Sequence, residues 1–90
     1  MPPYNEMNET KSGFTLTVDI HGMGEEEAKR QLALLLGRVD ASIREVVVIH
    51  GCHGGKVLRD MVRKKLKHPR IRRTWLTLND GQTIIELKDL

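Results

Sequence analysis

Ninety residues carrying a net charge of +3 make one compact domain and leave no room for a second independent core. No run approaches the roughly 20 apolar residues of a membrane-spanning helix, and the lone cysteine, Cys52, excludes an internal disulfide. The opening MPPYNEMNETKSG lacks the charged start, apolar middle and small-residue cleavage site of a secretory signal, so a cytoplasmic protein with no membrane partner is expected.

Residues 1–13 are polar, hold two prolines and show no apolar periodicity, which predicts a flexible leader ahead of a domain over 14–90. From Phe14 to Ile20 the pattern alternates strictly, with Phe14, Leu16, Val18 and Ile20 on one side, the signature of a strand buried on one face. Gly22 and Gly24 end it, and Glu25, Glu26 and Glu27 complement the positive end of a helix whose buried stripe is Ala28, Leu32, Leu35, Leu36 and Val39. Val46 to Ile49 is apolar without alternation, as in a central parallel strand. Beyond the glycines of HGCHGG, Val57, Leu58, Met61, Val62 and Leu66 predict a second amphipathic helix, stopped at His68 and Pro69. Two strands, Ile71 to Leu78 and Gln82 to Lys88, follow as a hairpin through Asn79, Asp80 and Gly81. The order is βαβαββ. Right-handed crossovers place both helices on one face of a four-stranded mixed sheet, an α/β two-layer sandwich.

Charge is distributed unevenly over these elements. Between Lys56 and Arg73 stand nine basic residues against one acid, Asp60, whereas the rest of the chain holds six basic and eleven acidic residues. Such asymmetry marks a face for a polyanion or, more plainly, a solvated helix surface. The phosphate-contact candidates are Lys56, Arg59, Arg63, Lys64, Arg70, Arg72 and Arg73.

In a parallel βαβ unit ligands bind beyond the carboxyl ends of the strands. Asp19 and His21 end the first strand two residues apart, so a carboxylate can orient an imidazole for acid–base work; alternatively Asp19 caps the turn at Gly22 and His21 is merely exposed. The loop Gly51 to Gly55, with His53, Gly54 and Gly55, leads into the second helix. Its backbone N–H groups either approach a phosphate or simply turn the chain tightly. It is not a Walker A loop, since three residues rather than four separate Gly51 from the Gly55-Lys56 pair and Val57 follows the lysine. No cofactor is expected. A divalent metal would have to be held by Asp19, His21, His50, His53 and Cys52 without any CxxC or HxxxH spacing. Cys52 has no evident group to orient His53 as its base. Trp75 either completes the core, the reading preferred for a lone tryptophan, or offers a stacking surface beside basic residues.

Asp19, Ile20, His21, Gly22 and Met23, then Glu26, Glu27 and Ala28, resemble the leading Asp-x-His-Gly motif and helix start of the Smr (small MutS-related) domain family. Val48, Ile49, His50, Gly51, Gly55, Leu58 and Arg59 resemble its His-Gly-rich loop and following helix, and His68-Pro69 its helix exit. The resemblance spans about Leu16 to Leu87. It implies a fold similar to the C-terminal domain of translation initiation factor three, binding of RNA or DNA, a link of some members to the ribosome, and endonuclease activity. It also implies Asp19, His21 and His50 as catalytic candidates. Many members read His-Gly-x-Gly-x-Gly, whereas His53 here takes the place of the middle glycine and the glycines fall at Gly54 and Gly55. That departure bears on cleavage more than on binding, because reacting atoms need closer placement than a phosphate contact. The rival expectation is a non-catalytic module binding structured RNA or a ribosomal surface. The oligomeric state is left open.

Overall fold

The computed structural model describes residues 7–51 and 56–89. Strands β1 (Asn8–Ser12), β2 (Thr15–Asp19), β3 (Glu45–Ile49), β4 (Ile71–Leu76) and β5 (Gln82–Leu87) form one sheet in the order β1-β2-β3-β5-β4. Helix α1 (Glu25–Arg38) connects β2 to β3, which pair in parallel, and every other pairing is antiparallel. Helix α2 (Lys56–Asp60) continues as a π-wound turn over Met61–Lys65, closed by the Leu66 N–H to the Met61 carbonyl at 2.8 Å, and leads to β4 at the far edge beyond β5.

The α/β reading with a mixed sheet and two helices is correct, but the sheet has five strands, not four. The additional strand, β1, lies in the segment that the sequence placed in the leader. All five of its residues are exposed, so no hydrophobic periodicity betrays it. It is held instead by the antiparallel ladder to β2 and by ion pairs to the end of α1, Arg38 with Glu9 at 2.7 Å and Lys11 with Asp40 at 3.9 Å. Ser12 pairs with Thr15, leaving Gly13 and Phe14 as a two-residue hairpin loop, with Gly13 at φ +61° as a type II′ turn requires. Phe14 therefore belongs to the turn and is exposed rather than joining the buried side of the strand.

One face of the sheet is covered. Leu16 and Val18, Val46 and Val48, and Ile85 and Leu87 meet Ala28, Leu32, Leu35 and Leu36 of α1 and Leu58, Met61, Val62 and Leu66 of the second helical segment in a single core. Most of the side chains that set the helical and strand periods in the sequence are buried, but Val57, expected on the buried stripe of the second helix, is exposed in its first turn, and Val39 is only partly buried as the cap beyond α1. Trp75 is a correction: its partner in the ladder is Ile84, not the core-facing Ile85, so it stands on the other face and is 47% exposed. The hairpin through Asn79, Asp80 and Gly81 forms as expected. Neither Asp80 nor Gly81 has a positive φ, and the turn is held by Asn79, whose Oδ1 accepts the Gly81 N–H at 2.9 Å, and by Thr77, whose Oγ1 accepts the Asn79 N–H at 3.0 Å. Among the described residues no helix is long and apolar enough to cross a membrane.

Truncating Leu32, which is fully buried, to alanine is expected to lower unfolding free energy by about 2–5 kcal/mol. The same change at Leu34, exposed on the opposite side of α1, costs less than about 0.5 kcal/mol. Urea unfolding of the two variants measures the difference.

Candidate functional site

The parallel pair β2/β3 continues one rung past its last residues, with the Ile20 N–H bonded to the Ile49 carbonyl at 2.9 Å. Beyond that rung both strands turn sharply. Ile20 to Met23 is a β-turn closed by the Met23 N–H on the Ile20 carbonyl at 3.1 Å, and Gly22 occupies its third position with φ +83°, which a side chain adopts only at a cost. Gly51 turns β3 with φ +85°, and a Cβ placed there would lie 3.5 Å from the His21 Cβ. The two motifs, thirty residues apart in the chain, are thus neighbours in space.

Asp19 ends β2 on the face away from the helices, because Val18 and Ile20 on either side are buried. Its Oδ1 accepts the His21 backbone N–H at 3.0 Å and contacts the His21 Nδ1 at 2.5 Å. The capping and orienting alternatives are therefore both realised by one oxygen. A carboxylate can only accept at this contact, so it favours the proton on Nδ1 and leaves Nε2 as the ring nitrogen that Asp19 does not engage. The His21 side chain is 69% exposed.

His50 is placed very differently. It is 1% exposed, with Nε2 at 2.9 Å from the Thr83 Oγ1 and Nδ1 at 3.2 Å from the Gly51 carbonyl. A carbonyl cannot donate, so Nδ1 carries the proton and Nε2 accepts from the Thr83 hydroxyl, which in turn accepts the Arg63 Nε–H at 2.9 Å. A neutral imidazole satisfies every member of this chain. Burial holds the His50 pKa below its ordinary value, and the nearby Arg63 and Arg59 charges add to the depression against the Gly51 carbonyl and Asp80.

Thr83 was not among the residues singled out from the sequence. The available signal was a polar residue at a core-facing position of β5, in step with Ile85 and Leu87. Gly81 was noted only as a turn residue, yet its carbonyl accepts the backbone N–H of His50 at 2.9 Å and of Gly51 at 3.1 Å, docking the hairpin against the site.

The basic candidates do not share one surface. Arg59 bonds Asp80 at 2.9 Å and Arg63 is spent largely on Thr83 and the Gln82 carbonyl, so both clasp the second helical segment to the hairpin. Lys65 pairs with Glu25 at 2.8 Å, which raises the lysine pKa through that hydrogen bond and charge. Arg70 is buried, with Nη1 at 3.4 Å from the Val39 carbonyl and Nε without a partner. Arg72 and Arg73 lie on β4 beside Glu86, at 3.7 and 2.9 Å. Lys56 and Lys64 are exposed and make no ion pair among the described residues. Cys52, His53, Gly54 and Gly55 lie outside the described residues. Among the described residues no cluster of three or more His, Cys, Asp or Glu is placed to hold a metal ion.

Comparison with protein families matches the Smr domain over residues 18–88, which spans both motifs and the final hairpin. No curated protein and no solved structure matches the chain.

Stability should depend on His50 with a defined sign. Its folded-state pKa lies below the unfolded value, so the unfolded chain takes up the proton more readily, and stability present at higher pH is lost as pH falls through the ordinary value of 6.5. Urea midpoints measured across that range should fall with pH less steeply in His50→Gln than in the parent. Thr83→Val, which strands His50 and Arg63 without their shared hydroxyl, should cost about 1–3 kcal/mol.

Proposed function

The chain belongs to the Smr domain family, and we propose that it binds nucleic acid and cleaves RNA with His21 as general base. The family is associated with nucleic-acid binding and nuclease activity. The observation that carries the catalytic part is the exposed His21 ring, oriented through Nδ1 by Asp19 and set against Gly51 at the start of the glycine loop.

In the proposed step Nε2 of His21 takes the proton of a ribose 2′-hydroxyl. The freed oxygen attacks the adjacent phosphorus, the bond from phosphorus to the 5′-oxygen breaks, and that oxygen leaves with a proton from water. A 2′,3′-cyclic phosphate and a 5′-hydroxyl result, and the step draws on no oxidant or cofactor. Asp19 fixes the ring and stabilises the imidazolium that forms. His50 acts as a positioning residue: its bonds to Thr83 and Gly51 hold Gly51 against His21. Lys56 and Lys64, with Arg59, Arg63, Arg72 and Arg73 at the limits of their internal pairings, supply the electrostatic attraction.

A second reading, a binding module that does not cut, draws on one observation: both ring nitrogens of His50 are engaged, so among the described residues of the two motifs His21 alone offers an imidazole nitrogen for acid–base work. The ribosome, through its RNA, is a partner of suitable chemistry for either reading.

Labelled single-stranded RNA, structured RNA, duplex DNA and branched DNA incubated with the protein decide between them. Cleavage of RNA to cyclic phosphate ends is expected, unchanged by EDTA and reduced about 10²–10⁴-fold in His21→Ala while binding persists. Loss of cutting in EDTA would replace the histidine mechanism with a metal-assisted one, and binding without cutting on every substrate would favour the module. Binding itself should weaken with salt, with a log–log slope of about −0.7 per phosphate contacted on single strands.

A further inference from the structure

Among the described residues nothing forms a covering layer on the face of the sheet turned away from the helices. Across its middle run Thr10, Thr17, Val47, Ile84 and Trp75, paired side by side from β1 to β4, and the adjoining row brings Asp19, Ile49 and Gln82 level with the carboxyl end of β2. Val47, Ile49 and Ile84 are only partly buried there, although Val18, Val46, Val48 and Ile85 on the other face are fully so. Trp75 is the most open large residue of the row.

Its indole is held in place rather than loose. The Nε1–H donates to the Glu86 Oε1 at 2.8 Å, and the Arg73 guanidinium lies 4.6 Å from the ring centroid. Glu86 also accepts the Arg73 Nε–H at 2.9 Å and has Arg72 at 3.7 Å, so this end of β4 carries two cations to one carboxylate. Hydrogen bonds from Trp75 and Arg73 hold the Glu86 carboxyl below its ordinary pKa, so that it orients the cluster as a stable anion. A fixed indole, a guanidinium stacked on it and surplus positive charge are what a base and its phosphate need from a single-strand subsite.

Asp19 and Trp75 share this face. Three strand spacings separate β2 from β4, about 14 Å, across a floor made of Val47, Ile49 and Ile84. A chain lying on that floor with one phosphate at His21 reaches the indole within a few nucleotides. We propose that the open sheet face is a path for unpaired nucleic acid, with Trp75 and Arg73 stacking a base a few nucleotides from the linkage presented to His21. The inference rests on the nucleic-acid reading above and names its substrate class: a single strand, because a paired base cannot reach the indole without leaving its stack. Guanidinium and indole together favour this occupant over an apolar protein surface, which would desolvate Arg72 and Arg73 with the single Glu86 carboxylate to balance two charges.

Trp75 is the only tryptophan, so its emission reports on this position alone. The full chain is titrated with an unstructured oligouridylate, with a fully paired RNA hairpin lacking overhangs, and with no RNA over a range of protein concentration. Affinities are then compared for Trp75→Ala, Trp75→Phe and Arg73→Gln, each checked for folding by circular dichroism. Quenching by the single strand, an affinity loss of about tenfold or more in Trp75→Ala, substantial rescue by Trp75→Phe and weaker binding by Arg73→Gln are expected. Binding of the single strand with unchanged emission and an unaffected Trp75→Ala overturns the path and leaves the nucleic-acid reading standing. Absence of binding to either RNA overturns both. An emission change that tracks protein concentration without RNA, with a dimer in sedimentation that Trp75→Ala abolishes, assigns the face to a second copy of the chain and overturns the path.

Discussion

The hydrogen bond from the Ile20 N–H to the Ile49 carbonyl is the last rung of the parallel ladder, and the geometry of the site depends on it. It holds the carboxyl ends of β2 and β3 in register, Asp19 opposite Ile49, at the point where each chain leaves the sheet. Burial of Val18, Ile20 and Val48 on the helix side makes that register costly to slip, because a shift of one residue would carry every apolar side chain to the solvent face. Asp19 is on the open face as a consequence of what its neighbours bury. The positive-φ glycines then act within a fixed frame, Gly22 folding His21 back over Asp19 and Gly51 letting β3 pass close to His21.

The same end of the sheet carries two imidazoles, one exposed and one buried. Both are adjacent to a turn, but His21 continues the outward row of Thr17 and Asp19, while His50 continues the buried row of Val46 and Val48. Buried, His50 has to be neutral and fully hydrogen-bonded, and the chain from Arg63 through Thr83 to Gly51 provides this. Because Thr83 sits on β5, Arg63 in the π-wound turn and Gly51 after β3, the network joins three elements that the hydrophobic core joins only non-directionally. It thereby specifies where the glycine loop begins. Arg59 and Asp80 add a more exposed clasp between the same helical segment and the hairpin, and exposed pairs of that kind contribute little stability.

What could be read from the sequence follows the division between periodic burial and everything else. The stripe Ala28, Leu32, Leu35 and Leu36 and the alternation of Leu16 and Val18 appear in the fold because burial imposes a period on the chain. Strand β1 escaped because Asn8 to Ser12 buries nothing and depends on backbone bonds and ion pairs to α1, which leave no period. Trp75 was misplaced because alternation tells which residues share a face but not which face is covered, and the bulge between Ile71 and Arg73 shifts the pairing of β4. At the site, spacing alone left Asp19 and His21 open between a turn cap and an oriented pair, and the resemblance singled them out; the structure sets the two side chains in contact. The roles of Thr83 and the Gly81 carbonyl were not visible, since they arise from antiparallel pairing between β3 and β5 across more than thirty residues.

The distribution of charge shows why composition alone would overstate the binding surface. Between Lys56 and Arg73 the chain is strongly basic, yet Arg59, Arg63, Lys65 and Arg70 are directed to internal partners, and Arg72 and Arg73 share Glu86. A polyanion would therefore meet not a uniform basic helix but a few lysines that make no ion pair among the described residues and a cationic edge on β4. Sparse, separated contacts of that kind suit a flexible single strand better than a rigid duplex, whose phosphates would need a continuous row of cations at fixed spacing. Under the cleavage proposed above, a flexible strand would let one phosphodiester rest against an oriented imidazole while a neighbouring base is fixed elsewhere, which would convert affinity gained at a distance into alignment of the reacting atoms.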